Sequence, residues 1–163
     1  MVQLICCICI AAITASDQLI KIAVLNSKLV QGDTLTLIKD ILQLRYVENT
    51  GAAFSLFSDK TGLLSVFTAI ILLVGFVLIF TNKIKSKIVL ASVVMLMGGG
   101  LGNLIDRVYR HFVVDYIEVL FVDFAVFNFA DCFVTVGEFV LVGYLVYDIV
   151  KDFKKGRLNG NGK

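Results

Sequence analysis

The chain has 163 residues, of which 58% are hydrophobic and only 17% charged, with a net charge of +2 and a mean hydropathy of +0.90. Ordinary soluble domains are about 45–50% apolar and about 25% charged, so the departure is toward the membrane. The small net charge and the lack of a basic stripe interleaved with aromatics exclude nucleic acid as a partner, and the length allows one compact domain.

Crossing about 30 Å of hydrocarbon takes roughly 20 mostly apolar residues, and four segments qualify. The first is predicted over Val2–Val24 and contains Cys6, Cys7 and Cys9. These cysteines, with Cys132, fit no zinc spacing and read as small apolar residues facing lipid or other helices. No Lys or Arg precedes the apolar core of this segment, and that core is long for a signal peptide, so it is expected to stay as a span. Asp17 and Lys21 near its end are four residues apart and share a helix face. They form either an anchoring ion pair at the interface or a support for a site.

The next segment, 33–57, is expected to be β-rich. Alternating apolar and polar residues predict short strands over Thr34–Ile38 and Leu42–Val47. The second span is predicted over Gly62–Phe80 and the third over Ile88–Ile105, both without a charge. The third ends in "GGGLGNLIDR" (Gly98–Arg107). Adjacent glycines such as Gly98, Gly99 and Gly100 let another helix or a substrate backbone approach closely. Helix packing alone does not account for Asn103, Asp106 and Arg107 following at helical spacing.

Asp106–Asn128 is then expected to be a loop. Its single His111 reads as an exposed loop residue, and Glu118 and Asp123 as ordinary surface acids. The fourth span, predicted over Phe129–Val150, carries Asp131 and Glu138. Glu138 lies two turns from Asp131 on roughly the same face, and either partners a neighbour of Asp131 or faces a polar groove. The low-complexity tail "GRLNGNGK" is expected to lack order.

Lys83, Lys85 and Lys87 link spans two and three, and Lys151, Lys154, Lys155 and Arg157 follow span four. The positive-inside bias puts both groups, and therefore both termini, in the cytoplasm. Asp17, Lys21, Asn49, Asn103, Asp106, Arg107, Asp115, Asn128 and Asp131 then gather at one depth near the outer face. Charged groups at membrane depth face an internal cavity and serve a function. Two carboxylates sharing a proton hydrolyse a peptide bond without a metal: one activates water and the other protonates the carbonyl oxygen. Asp115 and Asp131 both have apolar flanks, which raise a carboxyl pKa and favour such sharing. A proton- or ion-coupled carrier would place acids at several depths. A thiol redox protein would need partner cysteines in the outer loops.

"SDQLIK" (Ser16–Lys21), "ENTGAAFSLF" (Glu48–Phe57), "GGGLGNLIDR", "VVDYI" (Val113–Ile117) and "FNFAD" (Phe127–Asp131) resemble, in order, the signature blocks of the lipoprotein signal peptidases, or signal peptidase II. The resemblance spans nearly the whole chain. It implies a membrane α-helical fold, a four-helix bundle with a small extracytoplasmic sheet, in the bacterial cell membrane. It also implies an aspartyl endopeptidase, with Asp115 and Asp131 as its catalytic pair and no metal or other cofactor. Asp17, Asn49, Gly99, Asn103, Arg107, Asn128 and Ala130 are implied to bind substrate or support the pair. The substrates implied are prolipoproteins already carrying diacylglyceryl on the Cys after the cleaved bond; membrane lipid surrounds the enzyme, which is expected to be a monomer. Gly100 departs from the Ala found in many members, and Glu138 is outside the signature.

Overall fold

The structure is a computed structural model that describes residues 1–51 and 61–160, the last six of these by their backbone alone. Helix α1 is Val2–Leu25, followed by a short 3-10 turn at Lys28–Gln31. Strands β1 (Thr34–Ile38) and β2 (Leu42–Asn49) come next, then α2 (Thr61–Phe80), α3 (Lys87–Tyr109), β3 (Val113–Val119) and α4 (Phe129–Gly160). Each helix contains a stretch long and apolar enough to cross a membrane, in α4 from Phe129 to Lys154. The ends of the predicted β-rich segment beyond Gly51 lie outside the described residues. Helix α4 runs on to Gly160, into the tail expected to lack order.

Chain direction places the C-terminal ends of α1 and α3 and the N-terminal ends of α2 and α4 at one end of the bundle, with the sheet. Helix α3 is the central element and packs against each of the other three. Its buried residues are mostly small or polar, Ser92, Gly98, Gly99, Gly102, Asn103 and Asp106, with Val94 and Met97 in the apolar core. Buried residues of α1 recur at helical spacing, Cys6, Ile10, Thr14, Asp17, Lys21 and Val24, which is the stripe a helix needs to face a single neighbour. Two glycines show how closely the helices approach. A Cβ at Gly99 would land on the carbonyl oxygen of Ala130 in α4, and one at Gly98 would meet Ile13 of α1 at 2.7 Å. Without a hydrophobic drive in lipid, helices associate through such close packing. Thr14 adds a hydrogen bond to the Gly98 carbonyl at 3.0 Å.

The three strands among the described residues form one antiparallel sheet in the order β1-β2-β3. The segment expected to be a plain loop thus holds β3. Its first four residues, Val113–Tyr116, are all buried. The apolar/polar alternation that identifies a half-buried strand is missing from a strand covered on both faces. The β2–β3 register pairs Leu44 with Ile117, then shifts before Val47 meets Asp115 and Asn49 meets Val113. Such an irregularity re-aims a side chain, and here it lies beside Asp115.

Candidate active site

The N-terminus of α4 organises the site. The first N–H groups of a helix lack partners within the helix, and each here is satisfied from elsewhere. The Phe129 N–H donates to the Tyr116 hydroxyl at 3.2 Å, and the Ala130 N–H to Asp17 Oδ1 at 3.1 Å. The Asp131 N–H donates to Asn128 Oδ1 at 3.0 Å, while Asp131 Oδ2 accepts from the Asn128 N–H at 3.1 Å. That exchange is a capping box with Asn at the N-cap and Asp three residues on. It fixes the Asp131 carboxylate against its own helix end, where negative charge is favoured.

Asn128 also reaches the second carboxylate. Its Nδ2 donates to Asp115 Oδ1 at 2.6 Å and to Asn103 Oδ1 at 3.1 Å. Asn49, at the end of β2, donates to Asp115 Oδ2 at 2.8 Å. Asn103, from α3, donates to Asp131 Oδ1 at 2.8 Å. Every oxygen of the two carboxylates therefore receives one N–H, from three residues: Asn49 at the end of β2, Asn103 in α3 and Asn128 at the N-cap of α4. Burial, and next the charge of Asp131, push the Asp115 carboxyl up to about 7, against the lowering effect of the Asn49 and Asn128 hydrogen bonds and the Lys21 charge.

Behind this layer lies a buried ionic cluster. Lys21, fully buried, pairs with Asp17 and with Asp106, both at 2.9 Å, and donates to Asn103 Oδ1 at 2.9 Å. Asp106 also pairs with Arg110 and accepts the Val114 N–H at 3.0 Å, which ties the end of α3 to the start of β3. Gln18 bridges Asp106, Arg110 and the Gly102 carbonyl. Buried charges persist only when paired and hydrogen-bonded, and the two acids are here matched by two cations. The Lys21 bond occupies the oxygen of Asn103, so the Asn103 amide nitrogen is the atom left to face Asp131. The Asp17–Lys21 pair is fully buried and bonded to Asp106, Asn103 and the Ala130 N–H.

A cleft of about 750 Å³ is lined by Asn49, Asn103, Arg107, Asp115 and Asp131, with Phe124–Phe127 on one wall and Glu138 farther along α4. Arg107 donates to the Gly51 carbonyl at 3.2 Å, and its buried Nε has no partner among the described residues. It does not pair with Asp106, whose oxygens are taken by Lys21, Arg110, Gln18 and Val114. Of the other residues expected at the site, Gly99 is placed where α3 and α4 touch, and Asp17, Asn128 and Ala130 lie behind the cleft wall. His111 is exposed with a positive φ of 67°. Glu118 is held by Gln43 and Arg45 on the sheet. Burial pushes its carboxyl up, but the bonds from Gln43 and Arg45 and the Arg45 charge outweigh this and bring it below the usual range. Tyr116, Gln18 and Arg110 were not singled out by sequence. Arg110 follows Asp106 by four residues, a spacing that signals a pair on a helix, whereas nothing in the sequence marks Tyr116 as the partner of Phe129.

Comparison with known proteins bears on the family and the fold. The family model described as signal peptidase (SPase) II matches residues 9–147. A protein named lipoprotein signal peptidase from Clostridium acetobutylicum is 38% identical over 142 residues, covering 85% of this chain and 90% of its own length. One of the same name from Clostridioides difficile is 39% identical over 131 residues, covering 80% and 87%. A bacterial membrane enzyme solved by the in meso method superposes with a TM-score of 0.81 at 28% identity, covering 88% of each chain. With a match of this extent, and with paired carboxylates at one end of four membrane-length helices, the chain belongs to the signal peptidase II family of aspartic-type membrane peptidases.

Proposed function

We propose that the protein removes the signal peptide from prolipoproteins at the outer face of the cytoplasmic membrane, cutting before a Cys that already carries diacylglyceryl, with Asp115 and Asp131 as the catalytic pair. The observation that carries this reading is Asn128. One residue touches both carboxylates, through its side chain to Asp115 at 2.6 Å and its backbone to Asp131 at 3.1 Å, and both acids open onto one cleft. Like charges held this closely favour one shared proton, and burial together with the Asp131 charge favours the protonated form of Asp115. The substrate class follows from the relatives, which are named lipoprotein signal peptidases.

Ionised Asp131 takes a proton from water as the oxygen attacks the scissile carbonyl carbon, and Asp115 gives its proton to the carbonyl oxygen. Collapse of the diol returns a proton to Asp115, breaks the C–N bond and sends the proton on Asp131 to the leaving amine. No cofactor enters either step. In this reading Asn49, Asn103 and Arg107 hold substrate main-chain carbonyls or lipid ester groups, and Asp17, Gly99, Asn128 and Ala130 hold the pair. The lysines of the α2–α3 link and of the α4 tail favour cytoplasmic termini, which sets the carboxylate end of the bundle outside. The enzyme acts as a monomer, surrounded by membrane lipid.

The test is cleavage of a diacylglyceryl-modified precursor by purified protein in detergent. Asp115→Asn and Asp131→Asn should each abolish it, and the double variant should be little worse, because the two act as a unit. Additive losses, or equal damage from Glu118→Gln or Asp123→Asn, would remove the assignment. A reporter fused after Lys85 should read as cytoplasmic and one near Thr34 as external.

A further inference from the structure

Between Phe129 and Val142 the only hydroxyl, amide or charged side chains are Asp131, Thr135 and Glu138. Their spacing of four and then three residues places them on one face of α4. All three line the same cleft. The cleft therefore continues from the carboxylates along a polar stripe toward the hydrocarbon. Glu138 stands two turns below Asp131, about 10 Å at 1.5 Å per residue. No hydrogen-bond or ion-pair partner reaches it among the described residues. An acid at membrane depth with no partner among the described residues is expensive, and a donor brought by a bound substrate would complement it.

We propose that Glu138 is a specificity-determining residue, which accepts a hydrogen bond from a donor side chain on the substrate's leader, on the N-terminal side of the cleaved bond. This rests on the peptidase reading, in which the scissile bond lies at Asp115 and Asp131 and the leader runs down the cleft into the membrane. The chemistry fixes the class of side chain: Ser, Thr or another hydrogen-bond donor is favoured, an apolar residue is neutral, and a carboxylate facing Glu138 is disfavoured by like charge. The distance fixes the place. A leader extended at about 3.3 Å per residue covers 10 Å in about three residues, and a helical one in about seven. The donor position thus lies three to seven residues before the cut.

The experiment uses lipid-modified precursors with an otherwise all-apolar leader, placing Ser, Leu or Asp at each of those positions in turn and reading kcat/KM. For the wild type, one position should distinguish the three, with Ser about tenfold above Leu, or about 1.4 kcal/mol, and Asp below Leu. Glu138→Leu should lose the preference, the ratio of kcat/KM for Ser over Leu falling to about one within that variant whatever its absolute rate. Glu138→Gln, which keeps an acceptor and removes the charge, should retain the preference for Ser and lose the penalty for Asp. If Glu138→Leu proves unstable, Glu138→Gln alone decides through that penalty. A flat scan in the wild type, or a preference unchanged in the variants, overturns the proposal while leaving the peptidase intact. Failure of the wild type to cleave even the all-apolar leader overturns the peptidase reading, and this proposal with it.

Discussion

Asn49→Ala isolates the proton balance of the carboxylate pair. Asn49 Nδ2 donates to Asp115 Oδ2 at 2.8 Å, and a donor to a carboxylate favours the charged form. Removing it therefore raises the Asp115 pKa from its value of about 7. A hydrogen bond to a charged group is worth about 1.5–3 kcal/mol, and one pKa unit is about 1.36 kcal/mol. Because Asn128 still holds Oδ1 and water enters the open side of the cleft, the lower end applies, a rise of about one unit. In the proposed mechanism Asp115 must be protonated to donate to the carbonyl oxygen. The basic limb of kcat/KM against pH, which reports the free enzyme, should move about one unit toward alkaline pH. The plateau should fall as well, since Asn49 lines the cleft, but the position of the limb is the diagnostic. A limb that stays in place or moves toward acid would refute the assignment of the proton to Asp115.

Gly99→Ala should lower the thermal midpoint in detergent, by about 1–3 kcal/mol of overpacking, because its Cβ meets the backbone carbonyl of Ala130 and not a yielding side chain; an unchanged midpoint would mean that α3 and α4 do not touch there. Arg107→Lys should insert and fold normally yet lose most cleavage, since a point charge cannot reproduce a planar fork of donors; near-normal kcat/KM in that variant would leave Arg107 as an anchor only.

The sequence made the spans legible because hydropathy over some twenty residues is a strong signal; α1, α2 and α3 reach one to four residues past the predicted ends, and α4 runs ten further, to Gly160. The α3 helix includes Asp106 and Arg107 because Asp106 is neutralised by Lys21 and Arg110, a compensation that no local window displays. The same non-locality hid β3: Val113–Val119 is recognised as a strand by its pairing with β2 and not by alternation. The spacing of Asp17 and Lys21 correctly suggested a pair. That the pair lies fully buried and hands its third bond to Asn103 depends on the approach of α1 to α3, which the glycines permit but do not specify.

Asp131 joins the fold and the site in a single residue. Its carboxylate closes the cap at the start of α4 by accepting the Asn128 N–H, and its other oxygen takes the Asn103 amide. An N-cap interaction is worth about 1 kcal/mol, so the helix end holds this carboxylate in the orientation that the proposed mechanism uses. Asn128 completes the exchange and in the same step contacts Asp115. The distance between the two acids is thus set by the stereochemistry of a helix N-terminus meeting a strand, with one asparagine as the spacer. Changing Asn128 to a residue that still caps, such as Ser, would preserve the helix and release Asp115, because a hydroxyl at that position lacks the amide's second reach. Helix capping and the spacing of the two carboxylates separate at that one side chain, while at Asp131 they cannot be separated.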